Sequence, residues 1–158
     1  MHPDRFLFDA DNCSIRRTLD IVGEKWTFLV LREAFYGVRR FADFHRAIGC
    51  ARNILSARLK TLTDEGLLRR ETYQEAGSRP RDEYRLTAKG IELFPALVAL
   101  MQWGDHWTAD PAGPPVELFH RDCGEPIKAE IHCAAGHGPL TARDVQGRPG
   151  PGARAVSA

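Results

Sequence analysis

The stretch "RNILSARLKTLTDEGLLRRE", from Arg52 to Glu71, constrains the fold more than any other part of the chain. Leu55, Leu59 and Leu62 recur at helical spacing and define an inward face. Gly66 follows the last turn, where glycine adopts a left-handed backbone at least cost, and an extended basic segment begins at once. At about 100° per residue, Asn53, Ala57, Lys60 and Asp64 point nearly opposite Leu55, with Ser56 at the edge. A helix that only packs has no use for so abrupt a continuation, so one face is committed to a core and the other is left polar.

The flanking sequence supplies the partners of this helix. Ile15, Leu19, Val22 and Trp26 recur along one helical face beginning near Cys13, with Gly23 loosening its end. "TFLVLREAFYG" is a mostly apolar second helix closed by Gly37, and "RFADFHRAIG" a short third with Phe41, Phe44 and Ile48 on one face. After the Arg52 helix, "LLRRETY" and "DEYRL" read as strands, joined through "QEAGSRPR" as a hairpin. Thr87 is the expected N-cap of a long helix, "TAKGIELFPALVALMQWGDHW", interrupted by Pro95. This order predicts a mainly α fold with a small β-hairpin wing, a winged helix-turn-helix domain.

Charge distribution points the same way. The chain of 158 residues has a formal net charge of only +1, yet Arg39 to Arg85 holds eleven basic residues against seven acidic ones. A local basic surplus on a neutral chain suits a DNA-binding surface. The expected contacts are the recognition helix near 52–65 in the major groove and the 73–83 wing on the backbone or minor groove. Asn53, Ser56, Ala57 and Lys60 are chemically suited to base edges, and Arg52 to base or backbone. Arg39 and Arg40 ahead of the third helix, and Arg79 and Arg81 flanking Pro80, suit phosphate or minor-groove contacts.

These residues carry a family likeness. "GEKWT", "RRF", "LSARLKTL", "EGLL", "YRLTAKG" and "WGDHW", all between Cys13 and Trp107, resemble the HxlR-type transcriptional regulators, winged helix proteins related in architecture to the MarR group. The resemblance implies a dimeric bacterial regulator, a repressor by expectation, on a partly palindromic double-stranded operator. One departure stands out: where the family commonly has Ser-Pro ahead of the recognition helix, this chain has Ala51-Arg52, losing a hydroxyl cap and gaining a cation. Dimerisation has its own argument, since Leu93, Leu97, Leu100, Gly104 and Trp107 follow one stripe that Phe94, Val98 and Met101 widen. Leu93, Leu97, Leu100, Met101, Trp103 and Trp107 are the expected dimer contacts.

Cys13 is the redox candidate. A helix N-terminus with Arg16 and Arg17 close in sequence favours the thiolate, while Asp9, Asp11 and Asp20 oppose it. The resemblance implies oxidant or electrophile sensing through this position, and a packing role is the alternative. Cys50 reads as a small turn residue ahead of the recognition helix.

The boundaries expected are an N-terminal arm at 1–12, the DNA-binding and dimerisation domain at 13–107, a β-rich extension at 108–146 and a disordered tail at 147–158. "VELFHRD" and "IKAEIHC" are expected as two strands turning at "CGEP". His120, Cys123, Cys133 and His137 raise a zinc alternative, but on two paired strands Cys123 and Cys133 would lie roughly 20 Å apart at ~3.3 Å per residue, so no metal and no cofactor are expected. No nucleophile, base and orienter occur together and no glycine-rich phosphate loop appears, so an enzyme is not expected. No apolar run approaches a membrane span and the first residues lack a signal-peptide pattern, so a cytoplasmic location without membrane association is expected.

Overall fold

The structure is a computed structural model that describes residues 11–74 and 80–154. Its elements follow the order α1 (Ser14–Val22), α2 (Lys25–Phe35), α3 (Phe41–Ile48), α4 (Arg52–Asp64), β1 (Leu68–Tyr73), β2 (Arg81–Leu86), α5 (Ala88–Ile91) and α6 (Phe94–Trp107). The fold is a winged helix: mostly helical, with one antiparallel two-stranded hairpin.

Leu55, Leu59 and Leu62 of α4 are completely buried, together with Val30 of α2 and Phe44 of α3, while Leu31, Leu67 and Leu68 are nearly so. α2 is the central element, packed against α3, α4 and β2. Two glycines make the corners: Gly49 at φ 71° ends α3, and Gly66 at φ 70° ends the turn after α4. An L side chain is strained in that region, so both turns depend on glycine. α4 starts at Arg52 despite having no side-chain cap, the Ala51 carbonyl accepting from Leu55 N–H at 3.0 Å.

The exit from the hairpin is latched to the end of α4. Thr87 N–H donates to the Leu67 carbonyl at 3.0 Å, and its Oγ1 donates to the Gly66 carbonyl at 2.6 Å while accepting from Gly90 N–H at 3.1 Å. Lys89 Nζ donates to the Glu65 carbonyl at 2.6 Å. Gly90 is buried so closely that an added Cβ would stand 2.2 Å from the Leu67 carbonyl oxygen.

Three expectations change. The α1 stripe does not form one buried face: Val22 is buried, but Ile15 is 71% and Leu19 52% exposed. α1 ends at Val22 with Gly23 as its cap, so Trp26 falls on α2. The single long helix after Thr87 is two helices. Pro95 has no N–H and its ring crowds the carbonyl four residues back, so α5 stops at Ile91 and α6 starts afresh at Phe94.

The extension differs as well. It holds isolated antiparallel bridges, among them Phe119 with Pro126, and no regular strand among the described residues. Ile127 N–H donates to the Leu118 carbonyl at 3.0 Å, but the next backbone groups turn to α6: Gln102 Nε2 donates to the Ile127 carbonyl at 2.8 Å and its Oε1 accepts from Ala129 N–H at 2.9 Å. One glutamine side chain thus takes the groups a ladder would need. The chain divides into two compact units, α1 to α5 grouped with the stretch from Gly147, and Leu93–Gln146. The tail is described as far as Arg154, and the Gly152 carbonyl accepts from Asn12 Nδ2 at 2.7 Å.

The latch yields the first prediction. Gly90→Ala forces a methyl group onto a backbone carbonyl and is expected to destabilise the domain by about 1–3 kcal/mol. A thermal melt of the variant should show a clear drop; an unchanged melt would mean that the contact is not rigid.

Candidate nucleic-acid interface

With Leu55, Leu59 and Leu62 fully buried, the rotation of α4 about its axis is fixed. Asn53, Ala57 and Lys60 are then exposed along the opposite side, Ser56 is exposed at its edge, and Arg52 is exposed at the start of the helix. Arg58, at the flank, is half-buried and reaches back to Glu24 at the start of α2, 3.9 Å away. The face is partly engaged with itself. Lys60 forms an ion pair with Asp64 one turn on, and the Arg52 guanidinium lies over the Phe41 ring, 5.2 Å from its centroid. Stacking holds the Arg52 cation against the first residue of α3.

The linker between α2 and α3 docks on the wing. The Arg39 carbonyl accepts from Tyr84 N–H at 2.8 Å, and Arg40 bridges Glu83 as a short antiparallel edge beside β2. The Arg40 guanidinium sits over the Tyr73 ring at 4.7 Å, and Tyr73 is in register with Arg81. Register thus brings Arg81 opposite the residue whose ring seats Arg40, 41 positions away in sequence. Arg79 lies outside the described residues.

The middle of the hairpin is less basic than its sequence suggests. On one face Arg69 stands opposite Arg85 and Glu71 opposite Glu83, like against like. One cross-strand diagonal and two pairs along the strands resolve the repulsion: Glu71 accepts from Arg85 Nε at 2.8 Å across the hairpin and from Arg69 Nε at 2.7 Å on its own strand, and Arg85 Nε lies 2.8 Å from Glu83 Oε1. The hydrogen bond to Glu83 raises the Arg85 pKa above its ordinary value. On the other face Arg70 lies 3.5 Å from Asp82, which also accepts from Thr72 Oγ1 at 3.0 Å. Partial burial, seconded by Asp82, raises the Tyr84 phenol above its usual pKa and keeps it neutral.

Sequence reasoning missed three things here: the aromatic seat of Arg40 on Tyr73, the neutralised hairpin centre, and Arg46 of α3, which lies on the same side as Arg39 and Arg40. The first two follow from strand register, which a one-dimensional charge count does not contain. The signal for Arg46 is its place in the last turn of α3, between the Arg39-Arg40 pair and the recognition helix.

Cys13 is the N-cap residue of α1, half-buried, with its carbonyl accepting from Arg17 N–H at 3.0 Å. The two arginines expected beside it are engaged elsewhere: Arg16 pairs with Asp11 at 2.6 Å, and Arg17 reaches Asn12 at 3.5 Å. Cys50 is buried. In the extension His120 Nδ1 lies 3.0 Å from Cys123 Sγ, and Cys133 Sγ 3.4 Å from His137 Nδ1. They stand as two separate pairs, and among the described residues no group of three or more such side chains is placed to hold a metal ion. Among the same residues no helix is long and apolar enough to cross a membrane.

The cross-strand network carries a prediction. Glu71→Gln leaves Arg69 and Arg85 facing one another and is expected to lower stability by about 0.5–1 kcal/mol. Added salt should recover part of that loss by screening the repulsion. A melt series in rising salt checks it; a loss that grows with salt would contradict the network.

Comparison with known proteins agrees with the geometry. Residues 21–111 match the family model described as HxlR-like helix-turn-helix. The HTH-type transcriptional regulator Rv3095 of Mycobacterium tuberculosis is 47% identical over 142 residues, covering 90% of this chain and 89% of the relative. The crystal structure of PA1607, described as a transcription factor, superposes with a TM-score of 0.78 at 38% identity over 88% of this chain and 96% of that one. The redox regulator HypR in its oxidised form matches with a TM-score of 0.56 at 30% identity, over 62% of this chain and 99% of its own. A fully buried leucine face on α4, a wing locked to the α2–α3 linker and these matches together place the chain in the HxlR-like helix-turn-helix family of transcriptional regulators.

Proposed function

We propose that the protein is a homodimeric, sequence-specific DNA-binding repressor, with α4 in the major groove and the hairpin on the backbone or minor groove. The observation that carries this is the division of α4 into a wholly buried leucine face and an exposed face of Asn53, Ser56, Ala57 and Lys60. Asn53 is suited to a bidentate pair with adenine, Ala57 to a thymine methyl and Lys60 to guanine or phosphate. Arg39, Arg40, Arg52, Arg79 and Arg81 are assigned to positioning contacts with the backbone or minor groove.

Dimerisation rests on α6. Leu100, Trp103 and Trp107 are 55%, 59% and 68% exposed, and Phe94 joins them at the helix start. Large apolar side chains concentrated on one short helix mark an interaction surface. Leu93, Leu97 and Met101, half-buried, flank this band and are assigned to the same contact. A twofold dimer presents two recognition helices to a two-part operator, and occupancy of such a site blocks transcription sterically. The proposed location is cytoplasmic.

The likeness to HypR, a redox regulator, supports a second reading, in which oxidation of Cys13 releases the DNA. One titration tests both. Fluorescence anisotropy on DNA from upstream of its own gene is run in dithiothreitol and again after diamide. Tight reduced binding is expected, with Asn53→Ala weakening it by about 1–3 kcal/mol on the preferred sequence and little on scrambled DNA. Equal loss on both would remove Asn53 from base reading. Release by diamide that is abolished in Cys13→Ser supports the switch, and equal binding in both conditions discards it.

A further inference from the structure

The α2–α3 linker, α3 and β2 enclose a basin of about 470 Å³ that is open to solvent. Tyr36, Arg39, Arg40, Asp43, Arg46 and Glu83 line it. Three guanidiniums face two carboxylates, and both carboxylates are already engaged. Asp43 Oδ1 accepts from Arg46 Nη2 at 2.6 Å, and Glu83 Oε1 lies 2.8 Å from the Nε of Arg85. By formal charge the lining holds three cations against two anions. The start of α3, whose N-cap residue is Arg40, adds a partial positive charge.

Arg46 is 80% exposed yet tethered at one edge of its guanidinium, so a planar fork of donors is held at the rim before any partner arrives. From there the cations continue through Arg39 and Arg40 to Tyr73, whose register partner is Arg81 on the wing. A small-molecule pocket would be enclosed and largely apolar. This basin is open and lined mainly by polar and charged side chains.

We propose that the basin seats a backbone phosphate of the DNA that α4 reads, with Arg46 as a contact residue outside the recognition helix and the wing. Asp43 acts as a positioning residue that holds the Arg46 fork. The proposal rests on the DNA-binding reading and adds the specific path of one strand, across α3 before it reaches the hairpin.

The test is a salt series of anisotropy titrations on two duplexes, one from upstream of its own gene and one of scrambled sequence. The proteins are the unsubstituted chain, Arg46→Gln, Arg46→Lys and the pair Asp43→Asn with Arg46→Gln, which leaves no bare carboxylate in the basin. Loss of one phosphate contact in each protomer should weaken binding to both duplexes alike and reduce the slope of log affinity against log salt by about 1.8 for the dimer. Arg46→Lys should restore the slope, because it keeps the charge, and thermal melts should be unchanged throughout. An unchanged slope in Arg46→Gln and in the double variant overturns the seat while leaving the regulator reading intact. A changed preference between the duplexes overturns it too, since a phosphate contact carries no sequence information. Inorganic pyrophosphate that raises the melting temperature of the unsubstituted chain but not of Arg46→Gln, with the DNA slope unaltered, would assign the basin to a free phosphoester and overturn its role on DNA. Failure of the unsubstituted chain to bind either duplex overturns the DNA-binding reading, and the seat falls with it.

Discussion

The burial of three leucines on one side of α4 is the constraint on which the rest of the structure depends. Leu55, Leu59 and Leu62 have no solvent exposure, and the core beside them is drawn from Val30, Leu31 and Phe44. Each such side chain contributes on the order of 1.5–3 kcal/mol by leaving water, so rotating the helix by even one position would expose a leucine and bury a polar group. The phase of α4 is therefore set by the hydrophobic core. Its outward residues inherit their direction from that phase, and the same burial that stabilises the domain turns Asn53, Ser56, Ala57 and Lys60 to solvent.

The wing is fixed by connections at both ends. At its entry Leu67 and Leu68 are buried directly after the Gly66 corner. At its exit Thr87 and Gly90 bind the chain back to the same corner, and the Arg39 carbonyl holds β2 from the side. The hairpin, although only two strands, thus has three attachments to the helical part, which a free hairpin would lack. The charges follow the same economy. Those at the hairpin centre neutralise one another and strengthen the pairing, whereas Arg39, Arg40 and Arg46 border a basin with a formal positive surplus.

Much of this was legible in the sequence, for reasons that differ by element. The α4 face, the Gly49 and Gly66 corners and the Thr87 cap are local: spacing and backbone preference decide them within a few residues. Ile15 and Leu19 show where that logic stops, because periodicity predicts an apolar face and not what covers it. Pro95 was recognised as an interruption, but only the geometry shows a complete break with a new helix start at Phe94. The extension failed for another reason. Its alternating pattern promised two strands, but Gln102, far away in sequence, captures the backbone groups of Ile127 and Ala129. At the interface, base-facing candidates were readable one by one, while the Arg40–Tyr73 stack and the diagonal Glu71–Arg85 pair of the wing depend on register that no linear pattern contains.

In the proposed dimer, two recognition helices related by a twofold axis would meet DNA at a defined separation, and that separation can be read directly. Hydroxyl-radical footprinting of the intact protein on DNA upstream of its own gene tests the central claim with no substitution at all. Two protected half-sites of related sequence, with centres about 10–10.5 base pairs apart or a multiple of that, are the predicted result. Protection of one isolated half-site, or uniform protection with no sequence preference, would contradict a dimeric reader built on the outward face of α4.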